Sequence, residues 1–75
     1  MTIGEDRVRV TFNPGSSNLV DEIKQRTAEL IDLCDKQTWT QMSVDAETKR
    51  LWSLAMTHYE DAAMWAVKAA TAKKD

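Results

Sequence analysis

Hydrophobic positions along this chain change period partway through. In the stretch RVRVTF, residues 7–12, Val8, Val10 and Phe12 fall on one side and Arg7, Arg9 and Thr11 on the other. A period of two with β-branched residues predicts a half-buried strand. Asn13, Pro14 and Gly15 break it, because proline has no N–H to give to a ladder and glycine admits a positive φ. Ser16, Ser17 and Asn18 follow, and all are good helix N-caps. Beyond them Val20, Ile23, Thr27, Leu30 and Cys34 recur at alternating intervals of three and four, with Ala28 and Ile31 alongside. That spacing predicts a helix over 18–36 with a narrow apolar seam.

A connector carrying Trp39 and Met42 leads to a longer helical pattern over 44–72, with Ser43 or Asp45 as its cap. At 1.5 Å per residue this second helix spans about 40 Å, well beyond the first. It carries two apolar seams: Leu51, Ala55, His58, Ala62, Trp65 and Ala69, and then Trp52, Met56, Tyr59, Ala63, Ala66 and Ala70. One facing helix covers one such stripe. The polar MTIGED start reads as a frayed end.

The expected architecture is a single domain over 1–75, mostly α: a short N-terminal β-strand, then an antiparallel two-helix hairpin. A lone strand exposes unpaired backbone groups and is not stable by itself. The expectation is therefore a symmetric homo-oligomer in which the strand pairs in trans and a second chain covers the surplus seam.

Size sharpens that expectation. A chain of 75 residues buries only roughly 60% of its unfolded surface and has a marginal core. Cys34 is the single cysteine, so no disulfide within the chain can staple it, and no Cys/His cluster offers a structural metal. One cysteine and no leader segment point to a reducing, cytosolic setting. No apolar run approaches a membrane span. The formal net charge of −2 excludes a global basic footprint for a nucleic-acid polymer, so an anionic ligand would have to be held by local charge.

The catalytic inventory is thin. His58 lies in an apolar seam and reads as a packed, hydrogen-bonded core residue; Glu60 and Asp61 read as helix surface. No glycine-rich phosphate loop is present, NPGSS being too short. The chain reads as no enzyme and as needing no cofactor. Binding chemistry is better supplied. Arg7 and Arg9 share the polar strand face, either as ligand cations or as an edge that deters aggregation. Ser16 and Ser17 either cap a helix or hold an anion there. Lys24, Arg26 and Thr27 sit together on the first long helix. Lys68 lies one turn beyond Trp65, so the pair either grips a phosphate while stacking a base or packs as a core indole under a snorkelling lysine.

Two segments, FNPGSSNLVDEIKQRTAELID and LAMTHYEDAAMWAVKAAT, together resemble the phage anti-defence hairpin family, which includes the Thoeris anti-defence sponge and the related anti-CBASS sponge. The likeness runs from about Val8 to Thr71. It implies a small protein in the cytoplasm of an infected bacterium, assembled with itself, often as a hexamer. It also implies that cyclic ADP-ribose isomers or cyclic di- and trinucleotides are bound and held intact, so that the immune effector never meets its signal. Carried over by residue, the ligand-binding positions fall on Asn13 and Pro14 after the strand, on Lys24, Arg26 and Thr27, and on Met64, Trp65, Lys68 and Thr71; Arg9 joins them from the strand face.

Two other classes compete. A ribbon-helix-helix repressor also has one strand and two helices, and would read base edges with Arg7, Arg9 and Thr11. The negative charge and the long second helix count against it. A plain helical module would bind a partner protein through its alanine-rich face.

Overall fold

The computed structural model describes residues 1–10, 18–40 and 45–72. Three helices are found among them: α1, Ile3–Val8; α2, Asn18–Thr40; and α3, Ala46–Ala70. With so short a connection, α2 and α3 lie against each other as a helical hairpin, and α1 packs chiefly on α2.

The first correction is at the start of the chain. The strand expected over 7–12 is, over its described part, the end of α1 and the turn after it, and MTIGED is capped helix. Phe12 and Thr11 lie outside the described residues, and no strand is found among those described. The cause is local. Thr2 and Glu5 form a capping box: the Thr2 hydroxyl accepts from the Glu5 N–H at 3.0 Å, and the Glu5 carboxylate accepts from the Thr2 N–H at 2.9 Å. The far end is closed by Arg9 in the left-handed region, φ 55°. There the Arg9 N–H donates to the Asp6 carbonyl and the Val10 N–H to the Glu5 carbonyl, the two bonds of a Schellman motif. The left-handed residue reverses the backbone, so Val8 and Val10 both reach the core. Their spacing of two thus records a helix ending. The strand pairing between chains that was expected to start here has no strand to rest on within residues 7–10.

Gly4 sets how α1 docks. Its N–H donates to Asp32 Oδ1 at 2.7 Å, and a Cβ built there would overlap the Ala28 carbonyl. Backbone thus lies on backbone where α1 meets α2, an approach that only glycine permits.

The core gathers Val8, Ala28, Ile31, Cys34, Met56 and Ala63, with Val10, Trp52 and Ala55 packed on it. On α2 the buried stripe runs Val20, Lys24, Ala28, Ile31, Cys34, so it includes Lys24 and leaves Leu30 exposed. On α3 the second of the two expected seams faces inward around Met56 and Ala63. The other seam is left largely at the surface: Ala55 packs on the core's edge, while Leu51, His58, Ala62, Trp65 and Ala69 are exposed. His58 is therefore a surface residue in this chain, contrary to its expected place in the core. Trp39, expected in a connector, sits in the last turn of α2 and is 69% exposed. At α3's start Asp45 is the cap, accepting from the Thr48 N–H at 2.7 Å.

The protomer measures 51 × 23 × 12 Å. Its least dimension is about one helix diameter, so the hairpin is a single layer with one inner face. Surface apolar residues such as Leu51, Leu54, Met64 and Trp65 are the consequence.

Candidate functional site

Docking α1 on α2 closes one side of a cleft whose other side is α3. Arg7, Val8 and Arg9 form one wall, Lys24 the floor, and Glu60, Ala63, Met64, Val67 and Lys68 the opposite wall, around about 500 Å³. Each position follows from helix periodicity. Lys24 lies one turn before Ala28, the residue on which Gly4 rests. Glu60, Ala63, Met64, Val67 and Lys68 repeat at three and four along one face of α3.

Lys24 is only 6% exposed, and its Nζ donates to the Arg9 carbonyl at 3.0 Å. Burial is the main cause holding its pKa below the ordinary lysine value; the nearby Arg9 charge lowers it further, and Asp21 partly opposes both. The left-handed turn at Arg9 aims that carbonyl at α2, so the helix ending and the buried lysine are one arrangement. Across the cleft Arg7 reaches α3: its Nε donates to Glu60 Oε1 at 3.4 Å and its Nη2 to Thr57 Oγ1 at 3.3 Å. Lys68 Nζ lies 5.3 Å from the centroid of the Trp65 ring, a cation–π pair at the cleft's edge.

The cleft thus sets Arg7, Arg9, Lys24 and Lys68 against Glu60, in a chain whose net charge is −2. Such a concentration of cations in a partly apolar recess favours a ligand that carries phosphates and has flat apolar faces.

The expected site residues divide. Arg9, Lys24, Met64 and Lys68 converge on the cleft, and Trp65 adjoins it. Arg26 lies elsewhere on the surface, paired with Glu22 at 3.0 Å. The Thr27 hydroxyl donates to the Ile23 carbonyl at 2.7 Å, and the Thr71 hydroxyl to the Val67 carbonyl at 2.8 Å, so both back-bond their own helices. Asn13 and Pro14 lie outside the described residues. The sequence reading missed Glu60 and the part played by Arg7 in the cleft. Glu60 is spaced four residues before Met64 and eight before Lys68, and that shared face was the available signal. No cluster of His, Cys, Asp or Glu among the described residues could hold a metal ion, and no helix among them is long and apolar enough to cross a membrane.

A family model described as the Acb2/Tad1 hairpin domain matches residues 3–71. No curated protein and no solved structure matches the chain.

Proposed function

The chain belongs to the Acb2/Tad1 hairpin family, and from that premise we propose that it is a phage anti-defence sponge. It binds cyclic nucleotide immune messengers, cyclic ADP-ribose isomers or cyclic di- and trinucleotides, and holds them uncleaved in the cytoplasm of the infected bacterium. The observation that carries this reading is the cleft: Arg7, Arg9, Lys24 and Lys68 converge there in an acidic chain. Phosphates would meet these cations, and a base would lie on Trp65 or Met64. Among the described residues that line the cleft there is no histidine and one carboxylate, already facing an arginine, and a sponge needs no bond-breaking group.

A ligand with two or three phosphates and as many bases exceeds what one single-layer hairpin encloses. The exposed stripe of Leu51, Leu54 and Trp65 therefore meets a second copy of the chain in this reading, so that pockets are completed between protomers. The same stripe favours the alternative of a protein-interaction module. The repressor reading is left without its ribbon over residues 7–10, which are helix and turn.

A ligand panel tests the proposal. Cyclic dinucleotides, cyclic trinucleotides and cyclic ADP-ribose isomers are titrated by calorimetry and by melting. At a hundredfold excess over Kd the bound form gains about 2.7 kcal/mol by mass action, and the ligand is recovered chemically unchanged after heating. If no member of the panel shifts the melting curve at high micromolar concentration, or if the ligand is recovered cleaved, the sponge reading fails.

A further inference from the structure

We infer that Glu60 is an internal stand-in for a ligand phosphate: it holds Arg7 against α3 while the cleft is empty and yields Arg7 when a phosphate arrives. This rests on the sponge reading of the same cleft and assigns a positioning role within it.

Three observations carry it. First, Arg7 spans the cleft from α1 to two residues of α3 that lie one turn apart, Thr57 and Glu60. Second, Thr57 is oriented to accept, because its hydroxyl donates to the Ser53 carbonyl at 3.1 Å and so leaves lone pairs toward Arg7. Third, the ionic contact is long. Nε and Oε1 are 3.4 Å apart, where a well-formed N⁺–H···O⁻ bond measures about 2.7–2.9 Å. The Arg7 and Glu60 side chains keep 24% and 34% of their exposure, so the pair is half-buried and still partly screened by water, and its long contact makes it weak. A guanidinium held this loosely is preorganised and can still be released. A phosphate oxygen offers it a shorter, bidentate contact.

Glu60 then has two opposed effects on binding. It orients Arg7, which favours association, and its charge repels the incoming phosphate, which opposes it. Glutamine keeps an oxygen for Arg7 and removes the charge. Alanine removes both.

The experiment measures binding of cyclic dinucleotides and trinucleotides by calorimetry on the full chain, wild type beside Glu60→Gln, Glu60→Ala, Arg7→Gln and the double variant Arg7→Gln/Glu60→Gln. Melting without ligand is recorded for each, so that unfolded variants are identified. Glu60→Gln is expected to bind about threefold to fivefold more tightly, the scale of one screened charge pair. That gain should shrink as salt rises and fall in the double variant to the smaller part owed to direct repulsion of the phosphate, because the rest acts through Arg7. Glu60→Ala should gain less than Glu60→Gln. A merely structural glutamate would give no gain in affinity, and one that only repels phosphate would give an equal gain in the Arg7→Gln background, which likewise overturns the stand-in role. Unchanged or weaker binding by Glu60→Gln, with the wild type binding normally, overturns the stand-in role and leaves the sponge reading in place. Failure of the wild type to bind any of these ligands overturns both.

Discussion

The Gly4 N–H donates to the Asp32 carboxylate at 2.7 Å across the contact between α1 and α2. That bond fixes the helix that carries Arg7 and Arg9 into the cleft. A Cβ at position 4 would collide with the Ala28 carbonyl, which is backbone and cannot turn aside. Gly4→Ala is therefore expected to destabilise the chain by about 1–3 kcal/mol, the usual cost of overpacking. It should also weaken ligand binding, because α1 is displaced. Asp32→Asn, which keeps an acceptor oxygen, should cost far less. Urea melts at one fixed protein concentration compare the variants, and equal stability of Gly4→Ala and wild type would refute the docking argument.

Lys24 separates stability from function. A buried cation loses hydration, a cost that an apolar residue of similar length avoids, but that residue leaves the Arg9 carbonyl without the Lys24 donor, and the two effects nearly offset. Lys24→Met is expected to melt within about 1 kcal/mol of wild type or above it, while losing on the order of tenfold or more in affinity for a phosphate ligand. The pH dependence has a definite sign. The folded chain holds the Lys24 pKa below its ordinary 10.5, so the unfolded chain binds the extra proton between those two values. This group's contribution to stability therefore rises with pH across that window. Cys34, whose thiol pKa is raised above 9.0 by burial, acts in the opposite sense over the alkaline range. The comparison is made in a Cys34→Ser background: the stability gain with rising pH should be present with Lys24 and absent in Lys24→Met.

Much of this arrangement was legible in the sequence, for reasons particular residues make plain. The two long helices announce themselves by spacing, and the cap of the second is narrowed to Ser43 or Asp45, of which the structure uses Asp45. Arg9, Lys24 and Lys68 were chosen for their charge and Met64 through the family resemblance, and the four line one cleft. The start of the chain misled because Val8 and Val10 obey a strand's period while belonging to a helix end. The capping box Thr2–Glu5 was the contrary signal, four residues long and easily outweighed. Which α3 seam turns inward was undecidable from periodicity, since both are apolar. The choice is made by α2, where Ala28 and Ile31 meet Met56 and Ala63 in one core. Lys24 in that stripe could not be foreseen either. Its burial depends on the Arg9 carbonyl, and a left-handed arginine leaves no mark in the pattern.

Asp45 gives a prediction in acid. Its carboxylate accepts from the Thr48 N–H at 2.7 Å, and bonds from Thr48 hold its pKa below the ordinary 3.8. A depressed carboxylate contributes its full stabilisation above the unfolded pKa and loses it as pH falls through the folded one. Asp45→Asn keeps the cap without the charge, so the part of the acid-induced loss below pH 3.8 that belongs to this group should vanish in that variant. Parallel melts of both proteins between neutral and acidic pH make the comparison. Identical pH profiles would show that the Thr48 contact does not tune the carboxylate.

The remaining prediction concerns the outer stripe of α3. Leu51 is 52% exposed, Leu54 41% and Trp65 63%, and the protomer is too thin to fold them under. Each fully buried side chain of this kind is worth about 1.5–3 kcal/mol, so a copy of the chain laid on the stripe gains several such contributions together. Leu54→Glu puts a charge into that contact and leaves the core untouched. It should lower the mass measured by light scattering and make melting depend less on protein concentration, as unfolding becomes that of a lone chain. Ligand binding should fall with it if pockets are completed between chains. Met56→Ala is the contrasting change. It opens the core inside one protomer, at a cost of about 2–5 kcal/mol, and should lower stability without first changing the assembly. A wild-type chain that scatters as a monomer, with Leu54→Glu unaltered in mass and affinity, would leave the stripe to some other protein.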